Sequence, residues 1–224
     1  MSKIAVAVFN RKGGVGKTTL AVILAQLALV RRNRVLAVDL DPSGNFTSAF
    51  SFLKNSVFRD NFRVKNTLEA DDADAPEEWI VIDCSPALDE VSKFAVEFAD
   101  ITIIPVRPDY FSVSPLRMLA SIAEKQGKLR SQLPLVKVGF DTSSMAKVVN
   151  QIIQESGYPV AEELPLHKSI PYNISSGRIW SMGLTARSRQ PYENLYGKLA
   201  LAMERLQNGE EDMHEVWKSG GDAE

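Results

Sequence analysis

Eight residues near the N-terminus, Lys12-Gly13-Gly14-Val15-Gly16-Lys17-Thr18-Thr19, constrain the fold of this chain more than any other stretch. They follow an apolar run, Ile4 to Phe9, and lead into a segment whose Leu20, Ile23, Leu24, Leu27 and Ala28 share one helical face. Strand, glycine-rich turn and helix, in that order, are the setting of a phosphate-binding loop. Glycines let successive N–H groups turn toward one anion without Cβ clashes, and the helix N-terminus adds positive potential. In that arrangement Lys17 reaches the β- and γ-phosphates and the Thr18 hydroxyl ligates Mg2+.

The rest of the chain repeats the alternation. Val35 to Val38 is a continuous apolar run, the mark of a strand buried on both faces, and it ends in Asp39-Leu40-Asp41-Pro42. Trp79 to Ile82 is another and ends in Asp83, a Walker B pattern in which the carboxylate holds Mg2+ through water. Further strands are expected at Ile101–Pro105 and Leu135–Phe140. Helices are expected around Val91–Phe98, after Ser114-Pro115, and over 144–155 with Met145, Val148, Val149, Ile152 and Ile153 inward. A last helix is expected to start at Pro191 and stop at Asn208-Gly209. Residues 54–78 are less regular: Phe58, Phe62 and Val64 suggest a strand or short helix, and Asp71 to Glu78 a solvated loop. This order of elements implies an α/β fold with a mostly parallel central sheet and helices on both faces. Ligands of such sheets bind at the C-terminal ends of the strands, where Asp39, Asp41 and Asp83 fall.

Charge divides the chain unevenly. The net charge is −2, yet from Gly209 onward six acids face one base, which leaves residues 1–208 with 25 bases against 22 acids. The expected organisation is one domain, residues 1–208, and a flexible acidic tail, residues 209–224. One cysteine, Cys84, excludes an intramolecular disulfide and reads as a packed small residue. The longest apolar stretch, Leu20 to Val30, is too short to span a membrane. The expectation is a soluble, cytoplasmic protein.

One position departs from the usual loop: Arg11 stands where a glycine is expected, with Lys12 beside it. This Lys-Gly-Gly-x-Gly-Lys-Thr-Thr form resembles the deviant Walker A loop of the ParA/MinD family of P-loop ATPases. Asp41 to Thr47 and Asp83 to Leu88 look like two further segments of that family, with Ser43 and Ser85 in place of a glutamine and a proline. The resemblance implies ATP and Mg2+ as cofactors, Asp41 positioning the attacking water, and Asp39 supporting the metal beside Thr18 and Asp83. It also implies that Lys12 crosses into the partner's site when two ATP-bound copies face each other, so the expected partner is a second copy of the chain. Catalytic roles then fall to Lys12, Lys17 and Asp41. Pro165 stands in the loop whose backbone lies against adenine in related ATPases. The family's Pro-Arg-Asn is here Pro165-Leu166-His167, so no side chain is assigned to the base.

From Leu164 to Leu206 six bases face two acids. Arg187-Ser188-Arg189 is similar to a segment with which ParA-type members grip DNA without sequence preference, and Arg178 lies upstream. The leading expectation is a ParA-type ATPase that positions a plasmid, chromosome locus or protein cargo on the nucleoid, with a ParB-like adaptor stimulating hydrolysis. A MinD-like membrane ATPase is disfavoured because the residues after the last helix are acidic, and an anionic bilayer would repel them. A biosynthetic ATP-dependent ligase or amidase on the same scaffold lacks a second substrate motif here. A two-cysteine iron–sulfur ATPase is excluded by the lone Cys84.

Overall fold

The computed structural model describes residues 3–51 and 59–218; Phe58 and residues 219–224 lie outside them. Among the described residues the strands are β1 (Ile4–Val8), β2 (Val35–Asp39), β3 (Phe62–Lys65), β4 (Trp79–Asp83), β5 (Ile101–Val106), β6 (Leu135–Val138) and β7 (Val160–Leu164). They form one seven-stranded sheet in the order β3-β2-β4-β1-β5-β6-β7, and every pairing is parallel. The helices are α1 (Lys17–Val30), α2 (Asn45–Ala49), α3 (Glu90–Phe98), α4 (Tyr110–Val113), α5 (Leu116–Lys125), α6 (Ser144–Ser156), α7 (Ser169–Ser175), α8 (Ala186–Gln207) and α9 (His214–Lys218). The α/β class expected from the strand–helix alternation is the architecture observed.

The central strands β1, β2, β4 and β5 are buried along their whole length, which is why their sequences lack polar alternation. Val6, Val8, Ala37, Val81 and Ile103 face the layer of α1, α8 and α9. Ala5, Ala7, Leu36, Val38, Ile80 and Ile82 face the opposite layer, where α3, α5 and α6 pack. Parallel register aligns Asp39 with Asp83 and Val8 with Asp83. Three strand ends thus meet at the point where the glycine-rich loop leaves β1.

Several expectations are corrected. Helix α1 is not one-sided: from Leu20 to Leu29 every residue is buried, because the sheet covers one flank while α2, α7 and α8 cover others. Even Gln26 is enclosed, its Oε1 accepting from the Trp180 N–H at 2.8 Å. Helix α8 starts five residues before Pro191, at Ala186, with the Thr185 hydroxyl accepting from the Ser188 N–H at 3.2 Å. Pro191 lies inside it, and Arg187-Ser188-Arg189 forms its first turn rather than a preceding loop. In α6 only Val149 and Ile153 of the expected apolar set are fully buried, while Met145 and Val148 face outward. Val91 of α3 is exposed as well. Ser114 does not start α5, whose N-cap is Pro115; it closes α4 as its C-cap, and its hydroxyl donates to the Phe111 carbonyl.

The acidic segments hold more structure than their charge suggests. Asp72 is buried against Lys65 at 2.8 Å, and Glu77 takes both ends of the Arg63 guanidinium at 2.9 and 3.0 Å. The boundary at residue 208 does not end the packed body. Met213, Val216 and Trp217 lie on one face at helical spacing and are buried, and the Trp217 indole N–H donates to the Ser131 carbonyl at 2.6 Å. A high count of acids hid an apolar face of three residues.

Candidate functional site

The glycine-rich loop is shaped by its backbone. Gly14 and Gly16 have φ of 74° and 103°, values that a residue with a Cβ adopts only under strain. A Cβ placed on Gly13, Gly14 or Gly16 would meet no atom within 4 Å, so the loop encloses open space. Helix α1 begins at Gly16 without a side-chain cap and without an acid in its first turn. Its first N–H groups therefore remain free for an anion, and no carboxylate competes for them.

Lys17 is buried, and its ammonium donates to the Lys12 carbonyl at 3.3 Å. Burial lowers its pKa, and the neighbouring Asp83 and Asp41 pull in the opposite direction. Asp83 is fully buried at the end of β4, and neither carboxylate oxygen has a hydrogen-bond partner of ordinary geometry. Burial pushes its pKa up to about 7; the Thr18 hydroxyl and Lys17 oppose the shift, and Asp39 and Asp41 add to it. A buried carboxylate without a partner, beside a hydroxyl and a second carboxylate, is the donor set a hard divalent cation takes. The residues present therefore fit Mg2+.

Asp39 is held differently. Its Oδ2 accepts from the Thr47 N–H at 2.8 Å and its Oδ1 from the Asp41 N–H at 3.3 Å. These bonds fix the loop that carries Asp41, which is partly exposed and accepts from the Ser43 N–H at 2.9 Å. Asp41 thus stands at the rim of the cluster, within electrostatic reach of Lys17. Ser85 folds onto its own turn, its hydroxyl accepting from the Ala87 N–H. Cys84 is fully buried, and burial pushes its thiol pKa up, so it stays protonated.

Lys12 points elsewhere. Its ammonium lies 2.5 Å from Asp109 Oδ1, at the N-cap of α4, and about a third of its side chain is exposed. It does not join Lys17 and Asp83 in this chain's own cluster.

Beside the loop a cavity of about 170 Å3 runs between Gly14, Gly16 and Thr19 on one side and Val138, Leu164 and Pro165 on the other. Its lining is mostly apolar, closed by Ile170 and Tyr192, whose hydroxyl donates to the Pro165 carbonyl at 2.7 Å. A mostly apolar slot beside an anion cradle would suit a flat ring attached to an anion held at the loop. His167, read from sequence as a residue of no assigned role, lines this slot, and its Nε2 is buried without a partner. Arg107, which follows β5, also lines it, and no spacing in the sequence assigns it a role.

The basic segment is only partly brought together. Arg178 and Arg187 are exposed, Arg178 lying over the Tyr172 ring at 5.8 Å. Arg189 is half-buried, with its Nε enclosed, and Lys198 is buried with its ammonium on the Ala161 carbonyl at 2.7 Å, so Lys198 is not a free surface cation. Lys198 therefore leaves the surface count of bases because it ties α8 to β7. Among the described residues no helix is long and apolar enough to cross a membrane.

Comparison with known proteins places these features. The pattern of the CobQ/CobB/MinD/ParA nucleotide binding domain matches residues 6–179. The chromosome partitioning protein ParA of Caulobacter vibrioides is 25% identical over 175 residues, covering 58% of this chain and 66% of that protein. The chain thus spans just under two thirds of that relative. The maintenance of carboxysome distribution protein A of Gloeobacter kilaueensis is 32% identical over 165 residues, covering 70% of this chain and 74% of that protein. A plasmid partition protein of Borrelia burgdorferi B31, solved with AMPPNP, superposes with a TM-score of 0.68 at 20% identity, over 92% of this chain and 99% of the other. The family pattern spans the loop, the three strand-end carboxylates and most of the cavity lining, and the chain belongs to the CobQ/CobB/MinD/ParA nucleotide-binding family.

Proposed function

We propose that this chain is an ATP-dependent positioning ATPase of the ParA type. It hydrolyses ATP with Mg2+, pairs with a second copy when ATP is bound, and separates after hydrolysis. The observation that carries the reading is the convergence of Lys17, Thr18, Asp39, Asp41 and Asp83 at one sheet edge around an uncapped helix N-terminus. ATP phosphates belong in the glycine loop, the base in the slot beside Pro165, and Mg2+ with Thr18 and Asp83, supported by Asp39. The bound metal would neutralise charge on the phosphates. The chain's own residues hold the triphosphate and place Asp41 at the rim to orient the attacking water.

Lys12 is assigned to the partner's phosphates. In support, its ammonium is drawn to Asp109 and not to its own cluster. Sedimentation with ATP tests the pairing. The Asp41→Ala protein should bind ATP without hydrolysing it and sediment as a dimer; ATP binding with no dimer refutes the switch. Wild-type turnover should be slow, and Lys17→Ala should abolish it.

The matrix is proposed to be DNA, reached through the exposed Arg178, Arg187 and Lys168, a set that pairing would double. Each phosphate contact adds a counterion-release contribution, so binding should fall steeply with salt. An Arg178→Ala plus Arg187→Ala protein should lose ATP-dependent DNA binding; undiminished binding refutes this surface. A cargo-borne adaptor that stimulates hydrolysis and a cytoplasmic, nucleoid-associated location belong to the same proposal. The names of the relatives, chromosome partitioning and carboxysome distribution, support the positioning role.

A further inference from the structure

A buried polar web ties the start of the glycine loop to the segment after β5. Asn10 is fully buried; its amide donates to the Pro105 carbonyl at 2.9 Å and the Ser112 carbonyl at 2.8 Å, and its Oδ1 accepts from the Lys12 N–H at 2.9 Å. Ser112 is fully buried too. Its hydroxyl donates to the Arg107 carbonyl at 2.7 Å and lies 3.2 Å from the Arg107 N–H, which donates to it. Hydrogen bonds of this kind, closed off from water, hold a backbone in one place. The residue they hold most directly is Arg107.

Arg107 follows the last residue of β5, between the strand that feeds the glycine loop and the end of β6. It lines the cavity with Gly14, Gly16 and Thr19. It is the one permanently charged residue of that lining, and no carboxylate lines the cavity. Among the described residues its guanidinium has no ion pair or hydrogen-bond partner, whereas Lys12 pairs with Asp109 and Lys17 donates to the Lys12 carbonyl. A half-buried guanidinium with no protein acceptor, in a mostly apolar slot beside an anion cradle, is arranged for an anionic ligand.

We infer that Arg107 is a nucleotide-positioning residue whose guanidinium takes phosphate oxygens at the nucleoside end of the bound phosphate chain. This rests on the nucleotide reading of the site and adds to it a cation supplied by the same chain, distinct from Lys17 at the terminal phosphates and from Lys12 at the partner's. The Asn10–Ser112 web fixes Arg107 against the loop in advance, so little is lost in ordering it when nucleotide binds.

The test is ADP and ATP affinity, by competition against a fluorescent ATP analogue, for wild type, Arg107→Gln and Arg107→Lys, with Lys17→Ala as the control. Arg107→Gln should weaken ADP binding about tenfold or more, the scale of one charge-assisted contact. Arg107→Lys should lose less, and the glutamine deficit should shrink as salt rises from about 50 mM to about 500 mM. Thermal melting without nucleotide should match wild type in both variants. ADP binding within about twofold of wild type in Arg107→Gln overturns the inference. So does a lysine variant as weak as the glutamine one with a salt-independent deficit, which would mark a packing role. Wild-type protein that binds no nucleotide, as poorly as Lys17→Ala, overturns the nucleotide reading itself, a result separate from either of these.

Discussion

Asp109→Asn should make ATP-dependent pairing tighter. In the single chain Lys12 and Asp109 form an ion pair at 2.5 Å, with side chains 33% and 29% exposed. A pair so open to water contributes about 0.2–1 kcal/mol. If Lys12 must leave Asp109 to reach the partner's phosphates, each dimer breaks two such pairs, a cost of about 0.4–2 kcal/mol. At 1.4 kcal/mol per decade, relieving that cost tightens dimerisation by about 2- to 30-fold. Asparagine suits the substitution because Asp109 also caps α4, accepting from the Ser112 N–H at 3.1 Å, and asparagine caps as well as aspartate. The assay is sedimentation of Asp41→Ala against Asp41→Ala plus Asp109→Asn with ATP, at low salt, where the difference is largest. Equal or weaker dimerisation in the double variant would refute the reasoning. Lys12 would then either stay with Asp109 in the dimer or need its charge there.

Three more predictions concern the scaffold and its charges. Trp217→Ala should cost about 3–5 kcal/mol in urea unfolding, because Trp217 is buried and hydrogen-bonded; a loss under about 1 kcal/mol would show α9 to be a loose appendage. Asp83→Asn should abolish hydrolysis while raising the melting temperature of the nucleotide-free protein, since it removes a buried charge without a partner; a lower melting temperature contradicts that account. Lys128 is partly buried against the Val96 and Ala99 carbonyls, and this burial lowers its pKa to about 8, opposed by Asp100 and Glu97. Between about pH 8 and the ordinary lysine value the unfolded chain holds this proton and the folded chain does not, so stability rises with pH by at most ~3 kcal/mol. Lys128→Met should flatten that rise in unfolding measured from pH 7.5 to about 10; an unaltered slope would assign it to other groups.

Much of this protein was legible in the order of its residues. Apolar runs too continuous for half-exposed strands, each ending in Asp39 or Asp83, required a parallel sheet covered on both sides. The loop from Lys12 to Thr19 required a strand before it and a helix after it. These signals are local: they depend on backbone conformations that only glycine takes freely, and on runs of side chains with no polar face. Local signals were weaker at helix ends. Pro191 looked like a start because proline suits a first turn, yet the Thr185 cap six residues earlier governs α8.

What only the tertiary structure decided lies between distant segments. Parallel register set Asp39 beside Asp83, and burial among strand ends left Asp83 without a partner. Lys12 proved to pair with Asp109, ninety-seven positions along the chain, which no spacing encodes. No role for Arg107 or Ser112 follows from residue order alone; it is Asn10 that joins their segment to the glycine loop. The acidic end of the chain kept its helix because Met213, Val216 and Trp217 found Ser131 and β7 to pack on. Residue order determined which elements form and the phosphate-binding loop itself. Which charges meet, and which are left without a partner, depended on how those elements pack, because electrostatic energy follows distance and burial in space rather than separation along the chain.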